Sequence, residues 1–238
     1  MTLPEPFRDC LPMGIYGPTG GGKTTLLRNL VKAWPCGPTV FFNVDEEPEM
    51  GRVVQVERDD DAARREAIRE VHRLTSEGVK HIDFRIPTMK TTGEEEHTSL
   101  VRYLKNLGDE LRKGPLDTKV LFVTDEAHEV EESAELAAKR FRKRQIKPVV
   151  ATQEVQSMDR RVININRYHV WMSQPSRMER QHLKGCGFPV PDMKRNPQYD
   201  ALVMDSQEEY DDEHPEDDLA GKMKPVGRFR ASEEYVVE

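Results

Sequence analysis

At 238 residues the chain is long enough for one large domain with a complete hydrophobic core, and it leaves little room for a second. Apolar residues make up 36% and charged residues 33%, and no run of about 18 apolar residues exists to cross a bilayer, so a cytosolic protein is expected. The net charge of −7 argues against a protein that coats nucleic acid over its whole surface, while leaving room for a local basic patch.

The opening, MTLPEPFRDC, has neither a basic n-region nor an apolar h-region, so no secretory signal is expected. Cys10, Cys36 and Cys186 are widely spread and lack histidine pairs nearby, which predicts free thiols.

The first predicted strand, Met13 to Gly17, runs into GPTGGGKT, Gly17 to Thr24, and then into a predicted helix, Lys23 to Ala33. The pattern G-x-x-x-x-G-K-[ST] between a strand and a helix is a phosphate-binding loop. Gly17, Gly20, Gly21 and Gly22 let the backbone approach phosphate oxygens with its N–H groups turned inward, and the helix N-terminus adds partial positive charge. With Pro18 and Thr19 they form the cradle. Lys23 reaches the β- and γ-phosphates, the Thr24 hydroxyl is a Mg²⁺ ligand, and Thr25 bonds the α-phosphate. ATP and Mg²⁺ are the expected ligands.

A strand at Thr39 to Val44, a helix at Asp60 to Glu77, a strand at His81 to Pro87 and a helix at Ser99 to Arg112 follow. The next strand, Lys119 to Glu126, contains VLFVTDEAH and sets two carboxylates at its tip. Asp125 can hold Mg²⁺ through water, and Glu126 can orient and deprotonate the attacking water. A helix at Ser133 to Arg144 leads to a strand at Lys147 to Gln153. In P-loop proteins with an extra strand between the P-loop strand and the Asp-Glu strand, a polar residue at this tip reaches the γ-phosphate, and Gln153 fits that role.

A strand at Tyr168 to Ser173, a helix at Ser176 to Lys184 and a strand at Tyr199 to Asp205 complete the alternation, which predicts an α/β sheet with helices on both faces. Beyond it, Asp205 to Asp218 carries nine acidic residues in fourteen. The predicted division is a P-loop ATPase domain over 1–205 and an acidic, partly disordered arm over 206–238.

The order P-loop, LFVTDEAH, basic KRFRKRQIK, then VVATQ followed by Asp159 resembles the FtsK/HerA superfamily of DNA-pumping ATPases. The small size is most similar to the genome-packaging ATPases of internal-membrane, double-jelly-roll viruses. The resemblance covers about Met13 to Asp205. It implies a RecA-like core of the additional-strand, catalytic-glutamate type, assembled with copies of itself into a ring of five or six that threads double-stranded DNA. It also implies an arginine reaching the site from a neighbouring subunit, for which Arg142, Arg144 and Arg177 rank above Arg161. A capsid-vertex or membrane protein would dock the motor, in the host cytoplasm or at the virion vertex.

KRFRKRQIK, Lys139 to Lys147, has six basic residues in nine. It is either a solvated helix end or a surface facing the next subunit's nucleotide or the DNA in the pore. MDRR, Met158 to Arg161, is a second pore candidate, and Trp171 is expected in the core. DEAH also labels a helicase family, but those pair two RecA-like domains. No LSGGQ-like transporter signature occurs, and no helical lid of the AAA+ kind is evident. Two alternatives stay open: a phage extrusion ATPase of the zonula-occludens-toxin type, and a monomeric nucleotide switch or small-molecule kinase.

Overall fold

The computed structural model describes residues 7, 9, 11–34, 37–43, 50–56, 61–85, 119–125, 127, 146–158, 160–188, 190–194, 200–206 and 223–230. The strands are β1 Met13–Tyr16, β2 Thr39–Asn43, β3 Arg52–Gln55, β4 His81–Arg85, β5 Val120–Thr124, β6 Ile146–Thr152, β7 Tyr168–Met172, β8 Asp200–Asp205 and β9 Lys224–Arg230. They form one sheet in the order β3-β4-β2-β5-β6-β1-β7-β8-β9. Every pairing from β3 to β7 is parallel, and β8 and β9 are added antiparallel.

The short apolar strand runs are buried on both faces, as central parallel strands are. Alternation sorts their side chains. Ile15, Phe41, Leu121, Val123, Val149, Ala151, Val170 and Met172 pack with Leu26, Leu27, Leu30 and Val31 of helix α1, Lys23–Ala33. The other face is covered in two halves. Helix α2, Asp61–Ser76, lays Ile68, Val71 and Leu74 on Phe42, Phe84 and Phe122. Helices α3, Arg160–Ile165, α4, Arg177–Gly185, and α5, Val190–Met193, bury Val162, Ile163, Leu183 and Met193 with Tyr16, Trp171 and Leu202. Trp171 is a core residue, as expected. Cys186 is buried and in no disulfide, with its Sγ 3.6 Å from His182 Nε2; Cys10 and Cys36 lie outside the described residues.

Two strands depart from the sequence expectation. β3 was not anticipated, because RVVQ is a four-residue edge strand that buries only Val54 well. β9 lies within 206–238, the segment expected to form an acidic arm. It instead closes the sheet beside β8, so the sheet runs past the expected boundary at 205. Pro225 and Gly227 disguise it, and both are tolerated because β9 is an edge strand opposite an irregularity at Val203/Met204. Of the acidic run, Asp205 to Asp218, the residues from 207 onward lie outside the described residues, as do the helices expected at Ser99 to Arg112 and Ser133 to Arg144.

Lys147 departs from the basic cluster to which the sequence assigns it. It is fully buried in β6, where its Nζ donates to Asp9 Oδ1 and to the Leu11 carbonyl, each at 3.0 Å, and stands 5.7 Å from the Tyr168 ring centroid. This lock sits at the start of β6. Thr152, at the other end, is about 16 Å away at the rise of a strand, so Lys147 stands far from the strand ends beside the phosphate-binding loop.

Candidate active site

The carboxyl ends of β5, β6, β1 and β7 lie side by side, and the site is assembled along them. β1 ends at Tyr16 and the chain turns at Gly17, where φ is 151°. A Cβ there would stand 2.7 Å from the Met172 carbonyl oxygen, so glycine alone lets the loop pass β7. The Gly21 amide closes a turn onto Pro18 O at 2.9 Å. Gly22, left-handed at φ 98°, is the N-cap of α1; it supplies no side-chain cap, and the first turn has no acidic residue. With a glycine cap and no carboxylate in the first turn, this helix end suits an anion.

Lys23 is the first residue of α1 and only 6% exposed. Its Nζ donates to Gly17 O at 2.9 Å and to Pro18 O at 3.4 Å, which holds the ammonium inside the loop. Thr24 is half-buried beside it, and Thr25 is exposed. Thr19 and Gly20 form the exposed tip.

Asp125 follows β5 and is half-buried. It shares parity with Leu121 and Val123, which pack against α1, so it lies on the P-loop helix's face of the sheet. Glu126 lies outside the described residues. Its neighbour Ala127 is buried and donates its amide to Ala151 O at 2.8 Å, anchoring the chain beside β6. β6 does stand between the P-loop strand and the Asp125 strand. Gln153, at its tip, accepts a hydrogen bond from the Thr19 hydroxyl. Thr152 is buried and structural: its Oγ1 accepts the Glu154 amide at 3.0 Å and turns the chain.

The arginines are placed less completely. Arg177 is exposed in the first turn of α4, whose N-terminus is fixed by a capping box between Ser176 and Glu179. Arg142 and Arg144 lie outside the described residues. Arg161 falls within α3, and Met158 of the MDRR stretch is a core residue, 3% exposed. The sequence did not disclose that Met172 and Ser173 wall the loop; they belong to no motif.

Among the described residues no group of three or more His, Cys, Asp or Glu side chains comes together. The donor set of Thr24 and Asp125 instead suits Mg²⁺, which takes one or two protein oxygens and completes its shell with water and substrate phosphates.

No family model matches the chain, and no curated protein matches it. Among solved structures, the genome packaging NTPase B204 from Sulfolobus turreted icosahedral virus 2, in complex with ATP-gammaS, aligns with a TM-score of 0.60 at 12% identity, over 83% of this chain and 92% of that one. The chain has a RecA-like P-loop NTPase fold. VirB4 of Thermoanaerobacter pseudethanolicus aligns with a TM-score of 0.57 at 9% identity, over 83% of this chain and 87% of that one. The bacterial conjugative coupling protein TrwBdeltaN70 gives 0.50 at 13% identity, over 84% and 82%. These neighbours agree with the FtsK/HerA resemblance carried by the motifs, and at such identities the likeness is one of fold.

Proposed function

We propose that this protein is an ATPase that moves double-stranded DNA, and that its task is to package a viral genome into a preformed capsid. The observation that carries the reading is the juxtaposition of Lys23, Asp125 and Gln153 along three neighbouring strand ends, with β6 interposed between β1 and β5. The genome-packaging function of B204 supports the choice of cargo.

In this reading the P-loop amides and Lys23 bind the triphosphate. Thr24 and Asp125 would hold Mg²⁺, which would supply neutralisation of the phosphate charge. Glu126 accepts a proton from water as the water oxygen bonds to the γ-phosphorus and the bond to the β–γ bridging oxygen breaks, releasing ADP and phosphate. Gln153 orients toward the γ-phosphate. Arg142, Arg144 or Arg177 of an adjacent copy meets the developing charge, in a ring of five or six. The ring works in the host cytoplasm and docks at the virion vertex through a capsid or membrane protein. Among the described residues, no helix is long and apolar enough to cross a membrane.

ATP hydrolysis measured with and without linear duplex DNA tests the proposal. Stimulation that declines steeply with salt is expected. Hydrolysis indifferent to DNA at every salt concentration would favour the switch or kinase reading.

A further inference from the structure

Ser173 is the only non-glycine among the described residues with a left-handed backbone, φ 63°. It follows β7 directly and is 6% exposed. Its amide donates to Asp200 O at 2.8 Å, extending the β7–β8 pairing one step past Met172. Its hydroxyl donates to the Gly21 carbonyl at 3.4 Å.

A left-handed backbone is unfavourable for any residue with a Cβ and free for glycine. Strain of this kind gathers where surrounding structure over-determines a functional geometry. What serine offers here and glycine lacks is the hydroxyl, and that hydroxyl is directed at the phosphate-binding loop.

The consequence follows from the planarity of the peptide. The C=O of Gly21 and the N–H of Gly22 belong to one trans unit and point in opposite directions. Holding Gly21 O toward Ser173 turns the Gly22 N–H away from Ser173, which leaves it available as a donor of the kind a phosphate cradle uses. The same strand end moulds the loop's entry, since a Cβ on Gly17 would stand 2.8 Å from Met172 Cβ. The loop therefore starts and finishes against two successive residues, Met172 at the end of β7 and Ser173 just after it.

We infer that Ser173, outside the P-loop motif, is a positioning residue that fixes the Gly21–Gly22 peptide for phosphate binding. This rests on the nucleotide-binding reading above.

The test uses full-length Ser173→Ala and Ser173→Gly, titrated with a fluorescent non-hydrolysable ATP analogue and Mg²⁺, with thermal melting in parallel. Both variants lose the hydroxyl, but only the glycine variant relieves the backbone. Both are expected to bind the analogue about two- to tenfold more weakly, the range of one neutral hydrogen bond, while Ser173→Gly melts at or above wild type and Ser173→Ala at or below it. Should Ser173→Ala not fold, the glycine variant carries the test. Affinity that follows melting temperature, or stays at the wild-type value in Ser173→Gly, overturns the inference and leaves Ser173 a structural corner. Failure of wild type to bind the analogue overturns the nucleotide reading itself and this inference with it.

Discussion

The Thr19 hydroxyl donates to the side-chain oxygen of Gln153, joining the tip of the phosphate-binding loop to the tip of β6 across 134 positions of sequence. The bond orients the Gln153 amide. With its oxygen engaged by Thr19, its NH₂ group is the end left to donate to a γ-phosphate oxygen. Thr19→Val keeps the shape and removes the donor, so ATP affinity is expected to hold while kcat falls about two- to tenfold, the span of one neutral hydrogen bond. Gln153→Ala is expected to lower kcat further. The double variant then matches Gln153→Ala alone, because residues acting as one unit are not additive. Additive losses in a double-mutant cycle of kcat would separate the two residues' roles.

In the proposed mechanism Lys23 and Glu126 divide binding from chemistry. Lys23→Ala removes the buried ammonium that the loop holds against Gly17 O, so nucleotide binding is expected to be lost. Glu126→Gln leaves the cradle intact and removes only the base, so binding persists while turnover falls by about 10²–10⁴, the usual worth of general-base catalysis. Equilibrium binding beside steady-state hydrolysis reads both. Near wild-type hydrolysis by Glu126→Gln would transfer the role of base to another group.

What the sequence made legible follows from how local each signal is. Helix α1 was read to the residue, since a glycine-rich turn and a leucine-spaced run both lie in its own sequence. The strand β6 and its polar tip at Gln153 are legible in a short apolar run ending in Thr-Gln, whereas its place between β1 and β5 is legible only through the family resemblance. What escaped depends on partners far away in the chain. β9 contains Pro225 and Gly227 and becomes a strand only beside β8. Ser173 has no motif because its role is set by contact with Gly21, 152 positions away. Lys147 reads as one more cation in a basic run until Asp9 and Leu11 are folded against it.

That last distinction is testable. Replacing Arg142, Lys143 and Arg144 together is expected to weaken DNA stimulation and flatten its salt dependence, because each lost phosphate contact removes counterion release. Lys147→Ala is expected to leave the salt slope unchanged and to cost about 1–3 kcal/mol in stability, since it removes the buried ammonium from the Leu11 carbonyl and from Asp9, which keeps the Leu11 amide. Urea unfolding and salt-dependent ATPase assays measure the two effects. A Lys147 variant with wild-type stability and a reduced salt slope would return this residue to the pore.

His169 gives the fold a pH dependence. It is fully buried, 5.9 Å from the Tyr16 ring and 5.3 Å from Phe188, where desolvation outweighs the opposing effects of the Asn166 backbone and the Asp205 charge. Burial lowers its pKa from 6.5 to about 4. The unfolded chain therefore takes up a proton below 6.5 that the folded chain refuses until about 4, so stability falls as pH drops through that window and is fully present above it. The gap corresponds to about 3 kcal/mol. His169→Phe is expected to lessen the difference in melting temperature between pH 5 and pH 8. An unchanged difference would show that other groups govern the acid limb.

The final prediction is that hydrolysis requires two copies of the chain. In the proposed mechanism Lys23 meets the phosphates from the α1 side, and Asp125 lies on the same face of the sheet, yet the described residues of the loop and of the β5 tip offer no second cation for the opposite side of a γ-phosphate. The transition state spreads charge over the equatorial oxygens, and an arginine finger there is worth about 10³–10⁵ in rate, or about 4 to 7 kcal/mol of barrier. Arg177 is exposed in the first turn of α4, at the end of the strand beside β1, where a second copy can reach it. Arg142 and Arg144 are tested alongside it. Specific activity is expected to climb with protein concentration as copies assemble. Mixing Glu126→Gln with the variant that lacks the true finger, among Arg142→Ala, Arg144→Ala and Arg177→Ala, is expected to restore part of the turnover, because some interfaces then pair an intact Glu126 with an intact arginine. Activity per chain that stays constant on dilution to a verified monomer would dispose of the shared site and leave the monomeric switch or kinase as the better account.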